Sequence, residues 1–394
     1  MKKILLIACL VGCHLVAATA QTIDTLVNKA STTPFDVSFA VPDGNYLVTI
    51  TLGNKKKAAQ TVVRAESRRH YVDLVQTKKG RYQTVSFVVN KHNPQIDPQT
   101  RVKLKPRELT YKNWDDSLNL SFCGPAPAVQ RIRIEPAPQD VTTVFLCGNS
   151  TVVDQENEPW ASWGQMITRW LGNRVAVANY AESGLSCTTF LAQLRLDKIL
   201  TQLKQGDYVI VEFGHNDEKE KKAGDGAWYS YSRNLKIFVD RVRAAGGHII
   251  FCTPTARRFF NDDHRTIRNT HGDYPEAMKT VAHREHVPVI DLTRMSTTFY
   301  EALGEEGSKR SLVHYPANTF PGQDKPLADN THFNPYGAWE IAKMVVMGLR
   351  QMQSPLVSLL QPDWQDFNPA QPDDPDQFVW YLSTGSNLTK PDGN

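Results

Sequence analysis

The organisation of this chain follows from the segment Phe145-Leu146-Cys147-Gly148-Asn149-Ser150-Thr151, an apolar run that stops at a small turn carrying a serine. Far downstream, the segment Asp329-Asn330-Thr331-His332, which is predicted to be a loop, places a carboxylate three residues before a histidine. Nucleophilic catalysis by serine requires a hydroxyl, an imidazole base and a carboxylate that orients the base. We therefore take Ser150, His332 and Asp329 as the candidate catalytic residues.

The apolar run before Ser150 begins a long region in which strand-like and helix-like stretches alternate. The predicted strands are 142–147, 174–180, 207–213, 248–253 and 288–292. The predicted helices are 162–171, 188–203, 230–245, 274–286 and 335–352. Alternation of this kind is typical of a parallel sheet with helices on both faces. We therefore predict a three-layer α/β/α domain over residues 139–352.

The residues before this region have a different pattern. Short runs separated by turn signals, without a helical period, predict an all-β sandwich of jelly-roll type over residues 21–138. The candidate strands are 35–41, 45–52, 61–65, 70–75, 82–89, 118–122 and 130–135. Pro136-Ala137-Pro138 is the predicted linker between the two domains.

The beginning of the chain has the features of a secretory signal. A basic start at residues 1–3, an apolar run at 4–10 and the small residues Ala18-Thr19-Ala20 predict a signal peptide, residues 1–20. We therefore expect a secreted or periplasmic protein. Leu10-Val11-Gly12-Cys13 also resembles a lipoprotein cleavage box, so lipid anchoring at Cys13 is the alternative.

The last part of the chain, residues 353–394, is rich in Pro and Asp and carries scattered aromatic residues. We predict an extended tail that packs on the surface of the α/β domain. The aromatic residues expected to fix it there are Trp364, Phe367, Trp380 and Tyr381.

Composition excludes several classes of protein. Of the 394 residues, 45 are Lys or Arg and 41 are Asp or Glu, which gives a net charge of +4. Residues 1–20 hold two lysines and no acid, so the remainder carries 43 − 41 = +2, too even for a typical nucleic-acid-binding protein. Outside residues 1–20 no apolar run is long enough to cross a membrane. Outside residues 1–20 the four cysteines are dispersed, which does not indicate a disulfide scaffold, and Cys147 and Cys252 lie in apolar strand-like runs that predict buried thiols. The sequence has no CxxC or HExxH spacing and gives no indication of a metal site.

Further polar groups follow neighbouring strands of the predicted sheet. Gly184 follows the second strand, and Asn216 follows the third within Gly214-His215-Asn216-Asp217. The carboxyl ends of parallel strands meet at one edge of a sheet, which is where such folds bind ligands. The N–H groups of Ser150 and Gly184 and the side-chain NH₂ of Asn216 are therefore candidate donors to an oxyanion.

Each of these motifs also has an ordinary structural interpretation. Gly-Asn-Ser is a common turn, Gly184 can be a loop glycine, and Asp217 can cap a helix. Asp-x-x-His is a weak pattern by itself, and His332 alone can be a surface histidine. It is the order of the motifs along the strands that favours a catalytic site.

The four motifs together resemble the blocks of the GDSL/SGNH hydrolase superfamily over about residues 142–350. The resemblance implies a flavodoxin-like α/β/α fold and ester hydrolysis through an acyl-serine, with no cofactor. It assigns the nucleophile to Ser150, the oxyanion donors to Ser150, Gly184 and Asn216, and the acid–base pair to Asp329 and His332. The family usually has Asp before the serine, whereas this chain has Asn149.

Secondary motifs resemble bacterial rhamnogalacturonan acetylesterases within that superfamily. They are Trp160-Ala161-Ser162-Trp163-Gly164, Thr253-Pro254-x-x-Arg257-Arg258, His271-Gly272-Asp273-Tyr274-Pro275 and His332-Phe333-x-x-Tyr336-Gly337-Ala338. The N-terminal β-domain is similar to the accessory domain of two-domain members. The resemblance implies an acetylated, acidic pectic polysaccharide as substrate.

An acidic glycan suggests basic and aromatic contacts near the serine. Arg257 and Arg258 follow the fourth strand and are candidates to bind uronate carboxylates, while Trp228 offers a stacking face and His271 can shape the mouth of the site. His271 can equally cap the helix that begins near Tyr274. The lysines of residues 219–222 alternate with glutamates, so a solvated charged surface explains them as well as substrate binding does.

The sequence therefore predicts a secreted carbohydrate esterase that removes acetyl groups from rhamnogalacturonan, without a metal or a cofactor. One alternative is an esterase of the same fold that acts on another acetylated glycan, such as xylan. An alternative of a different class is a non-catalytic glycan-binding protein that depends on the N-terminal sandwich. The oligomeric state and the ligand of the sandwich stay open.

Overall fold

The computed structural model describes residues 22–385 and 387–392. The predicted signal peptide, residues 1–20, lies outside the described residues, as does Cys13. Within the described residues, none of the helices is both long enough and apolar enough to cross a membrane.

From residue 22 onward, eight antiparallel strands form the first part of the described chain. They are β1 (Ile23–Ala30), β2 (Phe35–Ala40), β3 (Gly44–Gly53), β4 (Ala59–Ala65), β5 (Arg69–Thr77), β6 (Tyr82–Lys91), β7 (Ser117–Ala126) and β8 (Ala128–Pro136). They make two four-stranded sheets, with the orders β1-β8-β3-β6 and β2-β7-β4-β5. Strand β1 was not predicted, because its apolar residues are few and most of its side chains are exposed.

The two antiparallel sheets share one core. In β3, the alternating residues Val48, Ile50 and Leu52 are fully buried, as period-2 patterning requires of a strand with one face inward. They belong to the same apolar cluster as Val63 of β4 and Leu120 of β7, which lie in the other sheet. The sheets therefore pack face to face, and the predicted β-sandwich is confirmed.

Five parallel strands form the sheet of the following region. They are β9 (Thr142–Gly148), β10 (Val175–Asn179), β11 (Tyr208–Glu212), β12 (His248–Cys252) and β13 (Val289–Ile290), in the spatial order β10-β9-β11-β12-β13. Alternate residues of β9 enter different cores: Val144 and Leu146 face one, Phe145 and Cys147 the other. The sheet is therefore covered on both faces, which confirms the predicted α/β/α architecture.

Seven α-helices supply those two layers. They are α1 (Trp163–Met166), α2 (Cys187–Ala192), α3 (Arg195–Gln202), α4 (Ser232–Ala244), α5 (Tyr274–Glu285), α6 (Leu292–Gly307) and α7 (Pro335–Gln351). The single helix predicted over 188–203 is two helices, because Leu194 adopts a left-handed conformation with φ of 63°. The helix predicted over 162–171 is one α-turn followed by the 3₁₀ helix Ile167–Trp170.

A two-stranded antiparallel ribbon carries the downstream motif. It pairs β14 (Leu312–Tyr315) with β15 (Leu327–Phe333), and Asp329 and His332 both lie in β15. The sequence predicted a loop here, which was wrong. The stretch is rich in Asp, Asn and Thr and has weak strand propensity, so only its pairing with β14 makes it a strand.

The sandwich and the α/β region are joined by buried ion pairs. Arg69 of β5 is fully buried; its Nε lies 2.5 Å from Asp154, and its Nη1 donates to the carbonyl of Val177 at 3.0 Å. Arg68 pairs with Glu158 at 2.5 Å. The division at residue 138/139 stays a prediction, but these contacts fix the two parts against each other.

The described residues of the C-terminal segment, 353–385 and 387–392, contact both parts of the molecule. Phe367 is buried against the core that faces α7, and Trp364 packs partly on it. Trp380 lies with its ring centroid 3.5 Å from the guanidinium of Arg64 in the sandwich, and its Nε1 donates to Glu158 at 3.1 Å. The packing is therefore broader than the predicted contact with the α/β domain alone.

The cysteines and the metal-binding residue types form no special site in the described part of the chain. Cys123, Cys147, Cys187 and Cys252 are buried free thiols, which confirms the prediction made for Cys147 and Cys252. Over residues 22–385 and 387–392, no three or more His, Cys, Asp or Glu side chains are grouped so that they could hold a metal ion.

Candidate active site

Ser150 lies in the turn directly after β9, at the carboxyl edge of the parallel sheet. The turn is tight: a Cβ on Gly148 would come within 2.4 Å of Val152 Cγ2. Only glycine therefore permits this approach at position 148. Ser150 is 2% exposed, so its hydroxyl lies in a protected site.

A hydrogen-bonded chain connects Ser150 to the downstream motif. His332 Nε2 lies 2.9 Å from Ser150 Oγ, and His332 Nδ1 lies 2.8 Å from Asp329 Oδ2. An ionised carboxylate only accepts hydrogen bonds, so Nδ1 carries the ring proton and Nε2 accepts from the serine hydroxyl. The structure thus brings together the three predicted catalytic residues; their roles stay predictions.

The Asp329 carboxylate is held by its own strand. Its Oδ1 accepts from the backbone N–H groups of Thr331 at 2.8 Å and His332 at 2.9 Å. Burial raises the pKa of Asp329, but the hydrogen bonds from His332 and these amides outweigh burial and keep that pKa below its ordinary value. Lys390 of the C-terminal segment also approaches Oδ2, at 3.3 Å. The carboxylate is therefore ionised beside the imidazole at neutral pH.

Buried polar groups support the turn that carries Ser150. Asn149 Oδ1 accepts from the N–H of Thr151 at 3.1 Å, and Thr151 Oγ1 lies 2.9 Å from Glu212 Oε1. Trp163 Nε1 donates to the other oxygen of Glu212 at 2.5 Å. Burial raises the pKa of Glu212 to about 7, although these hydrogen bonds oppose the shift. In the described residues Asn149 Nδ2 has no partner, which is the local consequence of an amide at this position.

The three predicted oxyanion donors come from three turns at the same sheet edge. Gly184 has φ of 79°, a conformation that favours glycine. Asn216 Nδ2 donates one hydrogen to the carbonyl of Leu185 at 3.0 Å and keeps a second hydrogen. The backbone N–H groups of Ser150 and Gly184 donate to no acceptor within residues 22–385 and 387–392. Donation to an oxyanion stays a prediction, but these groups have the capacity for it.

Two cations that the sequence reasoning missed hold the peptide before Gly184. The carbonyl of Ser183 accepts from Lys105 Nζ at 2.6 Å and from Arg107 Nη2 at 3.0 Å. Arg107 Nε also donates to the buried carboxylate of Glu182 at 2.9 Å. Because this carbonyl and the Gly184 N–H belong to one peptide group, the cations fix the direction of that N–H. No sequence signal marked the cations, since they follow the sandwich strand β6.

The predicted substrate-binding arginines are buried and occupied by protein groups. Arg257 Nη2 lies 2.5 Å from Glu218 and 3.2 Å from the carbonyl of His215. Arg258 donates to Asn330 Oδ1, the residue after Asp329, at 3.0 Å. Direct binding of substrate by either guanidinium would require these contacts to break.

The other two predicted substrate residues differ in exposure. His271 is 2% exposed, with Nε2 at 2.9 Å from the carbonyl of Thr255 and Nδ1 at 2.9 Å from Glu218. Trp228 is 50% exposed, and its Nε1 donates to Asp273 at 3.0 Å. Trp228 is therefore accessible to a ligand, whereas His271 is buried among other protein groups.

The chain is similar to several known proteins. Residues 146–339 match the GDSL-like lipase/acylhydrolase family. The chain is 40% identical to the rhamnogalacturonan acetylesterase RhgT of Bacillus subtilis (strain 168) over 215 residues, 54% of this chain and 91% of that protein. It is 33% identical to the probable rhamnogalacturonan acetylesterase YesY of the same organism over 218 residues, 54% of this chain and 94% of that protein. The crystal structure of B. subtilis YxiM superposes with a TM-score of 0.48 at 22% identity, covering 86% of this chain and 91% of that one.

Proposed function

This chain belongs to the GDSL-like lipase/acylhydrolase family and is a carboxylic ester hydrolase, and we propose that it removes acetyl groups from rhamnogalacturonan through an acyl-serine intermediate. The observation that carries the mechanism is the unbroken hydrogen-bonded chain from Ser150 through His332 to Asp329, with links of 2.9 and 2.8 Å. The substrate class is supported by the names of the two relatives from B. subtilis.

Acylation begins with the Ser150 hydroxyl. As Oγ attacks the acetyl carbonyl carbon, its proton passes to His332 Nε2, and the Asp329 carboxylate stabilises the imidazolium that forms. The imidazolium then gives this proton to the departing sugar oxygen. The ester bond to the sugar breaks, an ester bond to Ser150 forms, and the sugar leaves as a free alcohol.

The negative charge on the carbonyl oxygen needs donors that are already in place. The N–H groups of Ser150 and Gly184 and the second hydrogen of Asn216 Nδ2 can supply three hydrogen bonds at this edge of the sheet. Lys105 and Arg107 act through the Ser183 carbonyl, because they fix the orientation of the Gly184 peptide.

Deacylation repeats these steps with water as the nucleophile. His332 accepts a proton from water while the oxygen attacks the acetyl-serine, and the same donors stabilise the second oxyanion. Return of the proton to Ser150 Oγ releases acetate and restores the serine. The two steps use only side chains and backbone groups of this chain.

We propose that the reaction takes place outside the cytoplasm, since residues 1–20 have the pattern of a signal peptide. Retention by lipidation at Cys13 is the alternative. The first residue of the exported protein distinguishes the two, because signal cleavage leaves Gln21 and lipidation leaves Cys13 at the amino terminus.

Acetate release from a panel of esters tests the function. The panel contains acetylated rhamnogalacturonan, acetylated xylan and 4-nitrophenyl acetate, each with the wild type, Ser150→Ala and the control Ser358→Ala at an exposed serine. We expect the wild type to prefer rhamnogalacturonan. Ser150→Ala is expected to lose at least about 10⁴-fold in kcat on every ester, with no loss in the control.

Other results would each overturn one part of the proposal. Faster release from xylan would reassign the glycan while keeping the mechanism. Wild-type turnover by Ser150→Ala would remove Ser150 as the nucleophile. If the wild type and Ser150→Ala both bound rhamnogalacturonan and neither released acetate from it, the result would favour a glycan-binding protein.

A further inference from the structure

A cavity of about 300 Å³ is lined by residues that contact the proposed nucleophile and its base. Gln155 lines the cavity and donates to the Ser150 carbonyl at 3.0 Å. Trp160 also lines it and packs edge-on against the His332 ring, with centroids 5.8 Å apart. Arg107, from the segment after β6, also lines the cavity. A glycan bound in this cavity would therefore contact Arg107, a residue from the N-terminal part of the chain.

The charges at this wall do not balance within the wall itself. Lys105 and Arg107 are both about a quarter exposed, and both contact the Ser183 carbonyl. Of the carboxylates, Glu182 is paired with Arg107 and is buried. Glu156 also lines the cavity, but it accepts from Ser67 Oγ. Within the described residues, neither of these two carboxylates forms an ion pair with Lys105, so one cation beside Gly184 is left unpaired by the wall itself. The two cations are suited to an anion that approaches from the open side.

A carboxylate of the C-terminal segment occupies that open side. Asp392 lies 2.8 Å from Arg107 Nη1 and 3.2 Å from Lys105 Nζ, and its side chain is 56% exposed. It is also close to the predicted oxyanion donor, since a Cβ on Gly184 would come 2.7 Å from Asp392 Cβ. Partial burial raises the pKa of Asp392, but the two cations outweigh burial and hold that pKa below its usual value. The wall thus already binds a carboxylate next to the reacting centre.

We propose that Lys105 and Arg107 form a subsite for a carboxylate of an acidic glycan, and that Asp392 fills this subsite until substrate displaces it. The inference rests on the proposed function and adds to it the two side chains that recognise the negative charge of the glycan. A uronate near the acetylated sugar replaces Asp392 on the same two cations. Neutral acetylated glycans have no carboxylate, so they cannot replace Asp392 on the two cations.

The tail carboxylate competes with substrate from within the same chain. Asp392 is tethered, so its local concentration stays high whatever the concentration of glycan. Asp392 therefore raises the KM for an acidic substrate, and its removal lowers that KM.

A matched pair of substrates tests the subsite. We compare acetylated rhamnogalacturonan oligosaccharides with the same oligosaccharides after reduction of the uronate carboxyls to alcohols, and measure kcat/KM for both. Lys105→Gln and Arg107→Gln should lower the preference for the acidic form by about three- to tenfold, the range of a partly exposed charge-assisted contact. Lys103→Gln, an equal loss of charge at an exposed position two residues away, should leave the preference unchanged.

Asp392→Asn tests whether Asp392 competes with the acidic substrate for the subsite. It should lower the KM for the acidic oligosaccharide by about threefold and leave the carboxyl-reduced form and 4-nitrophenyl acetate unchanged. An unchanged KM for the acidic form would show that Asp392 does not compete. Equal losses by Lys105→Gln on the acidic and reduced substrates would overturn the subsite, since they would reflect only the support of the Ser183 carbonyl.

An inhibition experiment separates this inference from the proposed substrate. Trigalacturonate, which has no acetyl group, should inhibit 4-nitrophenyl acetate hydrolysis competitively in the wild type and at least threefold more weakly in Lys105→Gln. That result without acetate release from any glycan would keep the subsite and reject the proposed substrate. Acetate release from rhamnogalacturonan, together with equal inhibition of the wild type and Lys105→Gln by trigalacturonate, would keep the proposed substrate and reject the subsite.

Discussion

The two sides of Ser150 are built in different ways. On the proton-relay side, Asp329 and His332 lie three residues apart in one strand, and the backbone of that strand satisfies the carboxylate. On the oxyanion side, Gly184 and Asn216 come from separate turns, and Lys105, 78 residues before Ser183, braces the Ser183 carbonyl. The relay is therefore a local structure, whereas the donor side depends on the packing of distant parts of the chain.

This difference predicts how each side responds to change. A local relay fails completely when one of its members is altered, because no other group can orient the imidazole. A dispersed donor set loses one hydrogen bond at a time. Substitutions on the relay side should consequently cost more activity than substitutions on the donor side.

The largest effect is expected from Asp329→Asn. A carboxamide can donate to Nδ1 and favours the wrong ring tautomer, so kcat for 4-nitrophenyl acetate should fall by about 10⁴-fold, as in serine proteases. The matched control is Lys390→Gln, which removes the exposed cation 3.3 Å from the same carboxylate and should change kcat less than threefold. If both variants lost activity equally, the relay would depend on the C-terminal segment and would not be local.

An intermediate effect is expected from Asn216→Ala on the donor side. Loss of one oxyanion donor should lower kcat by about 10²–10³-fold, with little change in KM, because the hydrogen bond forms only in the transition state. The control is Lys219→Gln, whose Nζ contacts the other end of the same carboxamide at 3.3 Å. A loss as large as that of Asp329→Asn would contradict the contrast between the two sides.

The smallest effect on the site is expected from Glu212, which supports the turn that carries Ser150 and should change the pH dependence of stability. Burial raises the pKa of Glu212 to about 7, above its ordinary 4.5, so the unfolded chain ionises at lower pH than the folded protein. The stability linked to this carboxyl is fully present below pH 4.5 and is lost as pH rises through about 7. Glu212→Gln removes the titration, so between pH 4.5 and 8 the wild type should lose up to about 3 kcal/mol relative to the variant.

Urea unfolding at pH 4.5 and pH 8 measures this difference. Glu276→Gln, at an exposed glutamate of α5, is the control and should follow the wild type at both pH values. Parallel stability curves for the wild type and Glu212→Gln would mean that Glu212 is ionised in the folded protein throughout this range.

The same contrast explains what the sequence could predict. The relay and the sheet edge follow from short patterns: β9 and β11 are continuous apolar runs, and Asp329 and His332 are neighbours in the chain. The strand β15 was missed because its residues gain strand geometry only from pairing with β14. Local sequence patterns identify the reacting side chains. The backbone conformation that positions them depends on strand pairing, which the local sequence does not show.

Long-range packing hides the remaining features from the sequence. Arg257 was predicted to meet substrate because it follows a strand, yet Glu218, 39 residues earlier, is its ion-pair partner. Lys105 and Arg107 carried no signal, since nothing in a β-rich stretch indicates which turn of another domain it will contact. In each case the deciding partner is remote along the chain, and periodicity carries no information about it.

The buried pair of Arg69 and Asp154 has a consequence for any attempt to simplify the protein. A truncated hydrolase without residues 22–138 would retain Asp154 at a site that was dry and would lose its guanidinium, and Glu158 would likewise lose Arg68. Breaking a buried pair of this kind costs about 3–5 kcal/mol, a large fraction of a domain's total stability. Heating should therefore give a single calorimetric melting transition for the intact protein, and the catalytic half expressed alone should aggregate or melt well below it.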